Sequence, residues 1–514
     1  MRFTLVFFLY FLFSINQSKG QLKYWVSFTD KNVSDYNYKH NLCQKTLSNR
    51  VRFNLPLVQF TDIPVDIKNI KHLRQLGANP LHISKWLNAV SCFMNEEMVT
   101  KIRLLPFVKS VEPIEKKIIL SSQHIDIENS IYSSALQQMQ SNLFRENGIT
   151  GEGVNIGVID AGFFKANSDP FLEHLFSEFR ILQQKDFIDP KRKDIITVQA
   201  TDSDGHGKRV LDMITGYSKE DNIQIGMAVN AQFYLARTEN GAREHRGEED
   251  TWIEALEWMD SLGVRLISTS LGYAVNMDDP AENYKQDEMN GKTAKITKAA
   301  QIASDEKGIF LVVSAGNEGN NPKWRIISAP ADAYGVLSVG ATRENSWDKI
   351  GYSSVGPEFL PYLKPNVSCY SPDGTSFSAP AVAGFVACLM QKDSSLNNKQ
   401  LKQIIEKSSH LYPYGNNYIG YGIPQASRAL ELLKDSTFKF NNTLQKEISG
   451  NKFKLKISKN LSGQGIVFNK KNETIVVSQN EIFLRKGKLR LDRKPNVSRS
   501  TIAIGDSIIE IIWK

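Results

Sequence analysis

Cysteine is scarce in this chain: Cys43, Cys92, Cys369 and Cys388 are all there are in 514 residues. Four are too few for a disulfide framework, and none stands in a C-x-x-C pair, which argues against a structural zinc site. A bond between Cys369 and Cys388, or between Cys43 and Cys92, stays open at this level. Long apolar runs are also missing. The longest opens at Phe3, is interrupted by Thr4 and continues from Leu5 to Phe13. That is about half of the roughly 20 residues a spanning helix needs, so the reading is no transmembrane segment. There is no internal repeat and no low-complexity tract. Neither H-E-x-x-H nor G-x-S-x-G occurs, which removes two large groups of hydrolytic sites. Gly505-Asp506-Ser507 echoes another serine motif, but Ile508 stands where its next glycine would be, and the match is read as chance.

Acidic residues are scarce in one place. From residue 436 to the end there are 16 Lys and Arg but 6 Asp and Glu, a balance of +10 against +8 for the whole chain. The basic character therefore belongs to the tail. Its lysines alternate with apolar residues, as in Lys452, Phe453, Lys454, Leu455, Lys456 and Ile457. This is the period of a strand with one wet face, and the expectation is a solvated sheet with no nucleic-acid partner. Apolar residues make up 41% of the chain, enough to build real cores, and the length suggests about three domains.

What is present begins with an export pattern. Arg2 precedes the apolar run, and Ser18-Lys19-Gly20 offers small residues at the −3 and −1 positions of a cut before Gln21. Residues 1–20 are expected to be a signal peptide and the protein to be secreted, at the cell surface or in a periplasm. Residues 21–115 read as a small α/β unit. Its strands are expected at Lys23–Thr29, Lys85–Met94 and Val108–Ile114. Its helices are expected from Pro64 to Gly77, and from Glu96 to Leu105 behind an Asn95 cap. Residues 116–133 lack a period and read as a linker with a processing site.

Residues 134–434 alternate apolar strands with helical patterns. Val154–Ile159, Phe233–Ala236, Leu266–Thr269, Phe310–Ser314 and Val336–Val339 look buried on both faces. The fold class is α/β, a parallel sheet covered by helices. Residues 435–514 form a C-terminal β-rich domain.

Four segments carry chemistry. Asp160 ends the first of those strands, before Ala161-Gly162. His206 alone among eight histidines lies between two glycines, in Asp204-Gly205-His206-Gly207. Asn317 follows the strand ending Ser314-Ala315-Gly316. Ser376 stands in Gly374-Thr375-Ser376-Phe377-Ser378-Ala379-Pro380. Pro380 is tolerated in a first helical turn, which places Ser376 at a helix N-terminus, where free N–H groups suit a developing oxyanion. Each segment alone has a plain alternative, such as a cap or a surface-loop histidine.

Together, and in the order Asp, His, Asn, Ser, these segments resemble the subtilisin-like serine peptidases. Ser270-Leu271-Gly272, Tyr352-Ser353-Ser354-Val355-Gly356-Pro357 and Gly420-Tyr421-Gly422 extend the likeness over roughly 132–434. Val158–Phe163 and the insertion after Gly272 are similar to a Bacteroidetes-type subgroup. Residues 21–115 resemble the inhibitory prosegment of that family, most of all at Leu105–Pro113. The resemblance implies a secreted serine endopeptidase acting on protein or peptide substrates. Asp160, His206 and Ser376 would form the triad and Asn317 the oxyanion hole. Ser270, Leu271 and Gly272 with Ser314, Ala315 and Gly316 would line the substrate channel, and the chain's own prosegment would act as inhibitor. No cofactor is required and no metal ligand is assigned; structural calcium is raised by the resemblance alone. Lys208 departs from the family, which has Thr after His-Gly, and the short stretch from Lys364 to Ser376 suggests a trimmed loop. The rival reading is an inactive relative acting as a secreted binding protein.

Overall fold

The computed structural model describes residues 22–32, 36–37, 42–114, 133–239, 248–275, 283–440, 443–456, 464–484 and 488–514. The expected signal at 1–20 and the expected linker, apart from Ser133, lie outside the described residues. Among those described, no helix is long and apolar enough to cross a membrane.

The N-terminal unit holds strands β1 (Leu22–Phe28), β2 (Pro80–Ser84), β3 (Ala89–Met94) and β4 (Val108–Ile114) in the antiparallel order β2-β3-β1-β4. Helices α1 (Gln44–Arg52), α2 (Ile67–Gln75) and α3 (Glu96–Arg103) accompany them. Alternation along β1 divides its side chains. Tyr24, Val26 and Phe28 join Ile70, Leu73 and Ile102 in a small core, while Trp25 points into the core of the next domain. The Asn95 side chain accepts from the Met98 N–H, as the sequence suggested. Helix α1 and strand β2 were not expected. Lys85–Met94 is not one strand: Lys85–Asn88 is the turn between β2 and β3, with Asn88 at φ 49°. Trp86 and Leu87 looked strand-like because they are apolar. They pack against the central domain from that turn.

The central sheet has seven parallel strands: β5 (Asn155–Asp160), β6 (Ile181–Asp186), β7 (Gln232–Arg237), β8 (Leu266–Thr269), β9 (Phe310–Ser314), β10 (Leu337–Thr342) and β11 (Val367–Tyr370). Their order is β11-β10-β9-β8-β5-β7-β6. The chain builds outward to one side of β5, then crosses to the other, so the crevice above β5 and β8 is the topological switch point where open sheets gather their sites.

Helices α4 (His206–Thr215), α5 (Glu249–Ser261), α6 (Lys295–Asp305), α7 (Thr375–Lys392), α8 (Asn398–Ser408) and α9 (Ala426–Lys434) flank this sheet. Ile156, Val158 and Val312 pack with Val210, Ile214 and Phe385 on one face. Ile159, Ile267 and Val313 pack with Trp252 and Met259 on the other. Both faces are dry, which is why the strands read as continuous apolar runs.

The C-terminal domain holds β12 (Thr443–Ile448), β13 (Lys452–Lys456), β14 (Gln464–Lys470), β15 (Val476–Phe483), β16 (Lys488–Asp492), β17 (Arg499–Ile504) and β18 (Ser507–Trp513). Five form a sheet, β12-β18-β17-β14-β15, and β13 pairs with β16 as a separate ribbon. All four cysteines are free, so neither pairing left open by the sequence is made. Instead the Cys43 thiol caps α1 by accepting from the Thr46 N–H.

Candidate active site

Asp160 ends β5, fully buried. Its Oδ1 accepts from the Ala161 N–H at 2.8 Å and from His206 Nδ1 at 2.7 Å. The carboxylate thereby fixes the imidazole tautomer and leaves Nε2 for other work. His206 opens α4, and Gly207 explains how it comes so close. A Cβ at Gly207 would sit 2.5 Å from the Gly162 carbonyl and 3.0 Å from Asp160 Cβ, so only glycine lets this helix start against the end of β5.

Ser376 is the second residue of α7 and 7% exposed. Its N–H lies in the first turn, where helix geometry supplies no acceptor. Pro380 stands in the second turn rather than the first. It has no N–H to give the carbonyl four residues back, which is that of Ser376. The Ser270 hydroxyl fills the gap by donating to the Ser376 carbonyl at 2.7 Å. The Ser376 hydroxyl in turn donates to the Ser270 carbonyl at 3.3 Å. Among the described residues it makes no hydrogen bond to His206. The His206 ring instead packs on Phe377, with centroids 5.4 Å apart, so imidazole and helix end share one crevice.

Asn317 follows β9. Its Oδ1 accepts from the Thr375 N–H at 2.8 Å and from the Thr375 hydroxyl at 3.0 Å. Two donors on the oxygen settle which end of the amide is which. The nitrogen faces Gly374, where a Cβ would lie 3.1 Å from Nδ2 and where φ is +112°. Glycine is thus needed twice over at that position. Thr375 also accepts from the Gly316 N–H through its hydroxyl, at 3.1 Å. The sequence reading gives Thr375 no role beyond a possible helix cap.

The six residues expected to line a channel form two walls. Ser270, Leu271 and Gly272 continue from β8; Ser314 ends β9, and Ala315 and Gly316 follow it. Ala315 is engaged on both sides, donating to Val339 O and accepting from Ser328 N. Ser328 is a residue that sequence reasoning missed. Its hydroxyl is buried without a partner and packs against Gly272, and a Cβ at Gly316 would lie 3.1 Å from it. It therefore sits between the two walls.

The loop before His206 is clamped by charge. Arg237 Nε donates to Asp204 Oδ1 at 3.1 Å and its NH1 reaches Asp186 at 3.2 Å. Arg192 lies 3.4 Å from both carboxylates. Burial works to raise the Asp204 carboxyl, but bonds from Ala200, Arg237 and Thr201 overcome it and hold it low. Lys208, the departure from the expected Thr, projects from α4 to Asp169 at 2.6 Å and takes no part in the crevice. No group of three or more His, Cys, Asp or Glu among the described residues is placed to hold a metal ion.

Comparison with known proteins gives the family and the fold. Residues 151–422 match the Subtilase family, and residues 23–128 match the Peptidase S8 propeptide domain of Bacteroidota. Subtilisin DY of Bacillus licheniformis is 26% identical over 271 residues, 51% of this chain and 85% of that protein. Subtilisin NAT of Bacillus subtilis subsp. natto is 24% identical over 357 residues, 68% of this chain and 82% of that one. Among solved structures, fervidolysin from Fervidobacterium pennivorans, a keratinolytic enzyme related to subtilisin, shares the fold with a TM-score of 0.54. It is 16% identical, over 95% of this chain and 71% of that one. The epidermin leader peptide processing serine protease of Staphylococcus aureus gives 0.56 at 14% identity, over 80% of this chain and all of that one. The chain belongs to the subtilase family and is a serine peptidase with a propeptide domain.

Proposed function

We propose that this serine peptidase works through Asp160, His206 and Ser376, with Asn317 and the Ser376 N–H as oxyanion donors. The observation that carries the reading is the shared crevice. A buried carboxylate holds His206 by Nδ1, the first turn of α7 sets Phe377, the neighbour of Ser376, against that ring, and Asn317 is tethered by its oxygen with its nitrogen toward Gly374. In this reading Ser376 rotates from the Ser270 carbonyl toward His206 Nε2. Its Oγ attacks a peptide carbonyl while His206 takes the proton, and the acyl-enzyme forms as His206 returns that proton to the leaving amine. Water then repeats the steps and frees the acid. No cofactor enters. Ser270–Gly272 and Ser314–Gly316 flank an extended substrate, and the buried Ser328 hydroxyl floors the space between them.

The propeptide domain covers α5 and α6 and is proposed as an inhibitor until it is cut from the chain between 115 and 133. The apolar N-terminus supports export to the cell surface, a periplasm or the medium. A fluorophosphonate probe tests the core of the proposal. Stoichiometric labelling of the cut enzyme, lost in Ser376→Ala, is expected; labelling that persists in that variant removes Ser376 from the mechanism.

A further inference from the structure

The ribbon of β13 and β16 is built in an unusual way. Its inner face places Phe453 and Leu489 in the C-terminal core, with Leu455 and Leu491 packed against it. Its outer face is formed by the alternate residues, all exposed: Lys452, Lys454 and Lys456 on one strand, and Lys488, Arg490 and Asp492 on the other. The register sets Lys454 opposite Arg490 and Lys456 opposite Lys488; Asp492 faces only Lys452. Like charges placed directly across a strand pair are destabilising, so two such pairs in succession work against the ribbon's own pairing. Among the described residues these five cations make no ion pair. Several cations elsewhere in the domain are matched, as in Lys470 with Glu510 and Arg499 with Glu473. A face that needed only to stay wet would not require a single sign.

We propose that the outer face of this ribbon docks the protein on an anionic phospholipid bilayer. The charge is complementary and its layout is a plane: cations recur about 7 Å apart along each strand and about 5 Å across the pair. A linear nucleic acid is favoured by a groove that tracks it and by aromatic rings that stack on bases; this face offers neither. Four of the five cations are lysines, which act as point charges, whereas sites for one defined phosphate favour the bidentate fork of arginine. An apolar group lies at hand. Phe483, 62% exposed, ends the strand that leads into the ribbon, and a ring beside basic residues suits the headgroup boundary.

The test is sedimentation of the full chain with vesicles, either pure phosphatidylcholine or equal parts phosphatidylcholine and phosphatidylglycerol. The chain is expected to bind only the anionic vesicles and to be released at about 1 M salt, where the Debye length is about 3 Å. Each cation near such a surface contributes roughly fivefold to partitioning, so the triple variant Lys454→Gln, Lys456→Gln, Arg490→Gln is expected to bind about 100-fold more weakly. The near-ultraviolet circular dichroism, to which the buried Trp513 of the C-terminal core contributes, and the thermal unfolding midpoint should be unchanged, which shows that the C-terminal domain of the variant is folded. A matched variant, Lys191→Gln, Lys193→Gln, Lys399→Gln, loses the same net charge and should bind normally. Equal binding to neutral vesicles, equal loss in both triple variants, or displacement of the vesicles by duplex DNA at lower concentration than by free phosphatidylglycerol vesicles would each overturn the proposal.

Discussion

The catalytic domain grips its two neighbours by different means. Toward the propeptide domain it offers charge. Glu257 on α5 accepts from the Ser84 hydroxyl at 2.6 Å and from the N–H groups of Trp86 and Lys85 at 3.1 and 3.2 Å. Asp250 takes Lys23 and Ser91, each at 2.6 Å. Asp62, from the propeptide side, binds both Arg50 and Lys307 in a pocket closed to water. Toward the C-terminal domain the buried grip is apolar and amide-based, with the Lys471–Glu358 ion pair at its exposed rim. Leu411 and Ile419 pack with Ile466, Phe468 and Val476, and Asn417 splices the edges by bonds to Thr474 O and Val476 N, both 2.9 Å. Buried ions regain hydration when their interface opens, which offsets much of what is lost; buried aliphatic side chains have no such return. Both junctions bury apolar side chains, Trp25 and Trp86 at the first and Ile466 and Phe468 at the second, and the first adds the buried ions.

The strongest way to sharpen this contrast is Ser376→Ala. On the proposed mechanism this removes the nucleophile and lowers kcat by about 10⁶. If the enzyme makes its own cut, the variant should accumulate as a precursor carrying the propeptide domain, with both junctions intact. Mature-sized protein in a protease-free expression of the variant would show that another enzyme makes the cut.

Removal of the C-terminal domain attacks the second junction. A chain ending at Lys434 leaves Leu411 and Ile419 uncovered, at about 1.5–3 kcal/mol for each exposed side chain. The expected outcome is a lower unfolding midpoint for the catalytic domain with small-peptide hydrolysis retained, since no triad member is lost. Asp62→Ala attacks the charged junction. It leaves the buried Arg50 and Lys307 to share Asp260, 3.8 Å from Arg50, a change that costs up to about 3–5 kcal/mol. In the Ser376→Ala precursor it should speed amide exchange across β1–β4 and leave exchange in the central sheet as it was. Equal acceleration in both regions would mean that the two do not separate.

The sequence carried the central domain better than its attachments, for a physical reason. Strands buried on both faces announce themselves as apolar runs, and β5, β8 and β9 stand within a residue or two of where they were expected. Strand β6, Ile-Leu-Gln-Gln-Lys-Asp at the sheet's edge, has no such run. Asp160, His206, Asn317 and Ser376 were legible because glycine and small residues surround them. What gathers them was not: the Ser270 hydroxyl bridging the break that Pro380 makes, the Thr375 tether on Asn317 and the Arg237 clamp on Asp204 join residues 33 to 106 positions apart. The propeptide interface was equally hidden. Its charged residues look like surface on either partner and become buried only when the two meet.

The finest probe of the charged junction is proton uptake by Glu257. Burial lifts its carboxyl from the ordinary 4.5 to about 7, despite bonds from Ser84, Trp86 and Lys85. A carboxyl raised in the docked state stabilises docking fully below its undocked value and loses that contribution as pH rises through 7. Asp62 works in the opposite direction. Arg50 and Lys307 overcome its burial and lower it to about 2, so its contribution is present above the ordinary 3.8 and is lost only in strong acid. The two together place tightest docking near pH 4, with weakening of up to tenfold per unit from about pH 4.5 to 7 and little change beyond. Trp25 and Trp86, each 3% exposed at this interface, report the opening through their emission. In the Ser376→Ala precursor, the urea midpoint for that signal should fall between pH 5 and 7.5. Glu257→Gln keeps an acceptor without the charge and should flatten the slope. A midpoint in this variant that still falls as steeply would assign the pH dependence to another group.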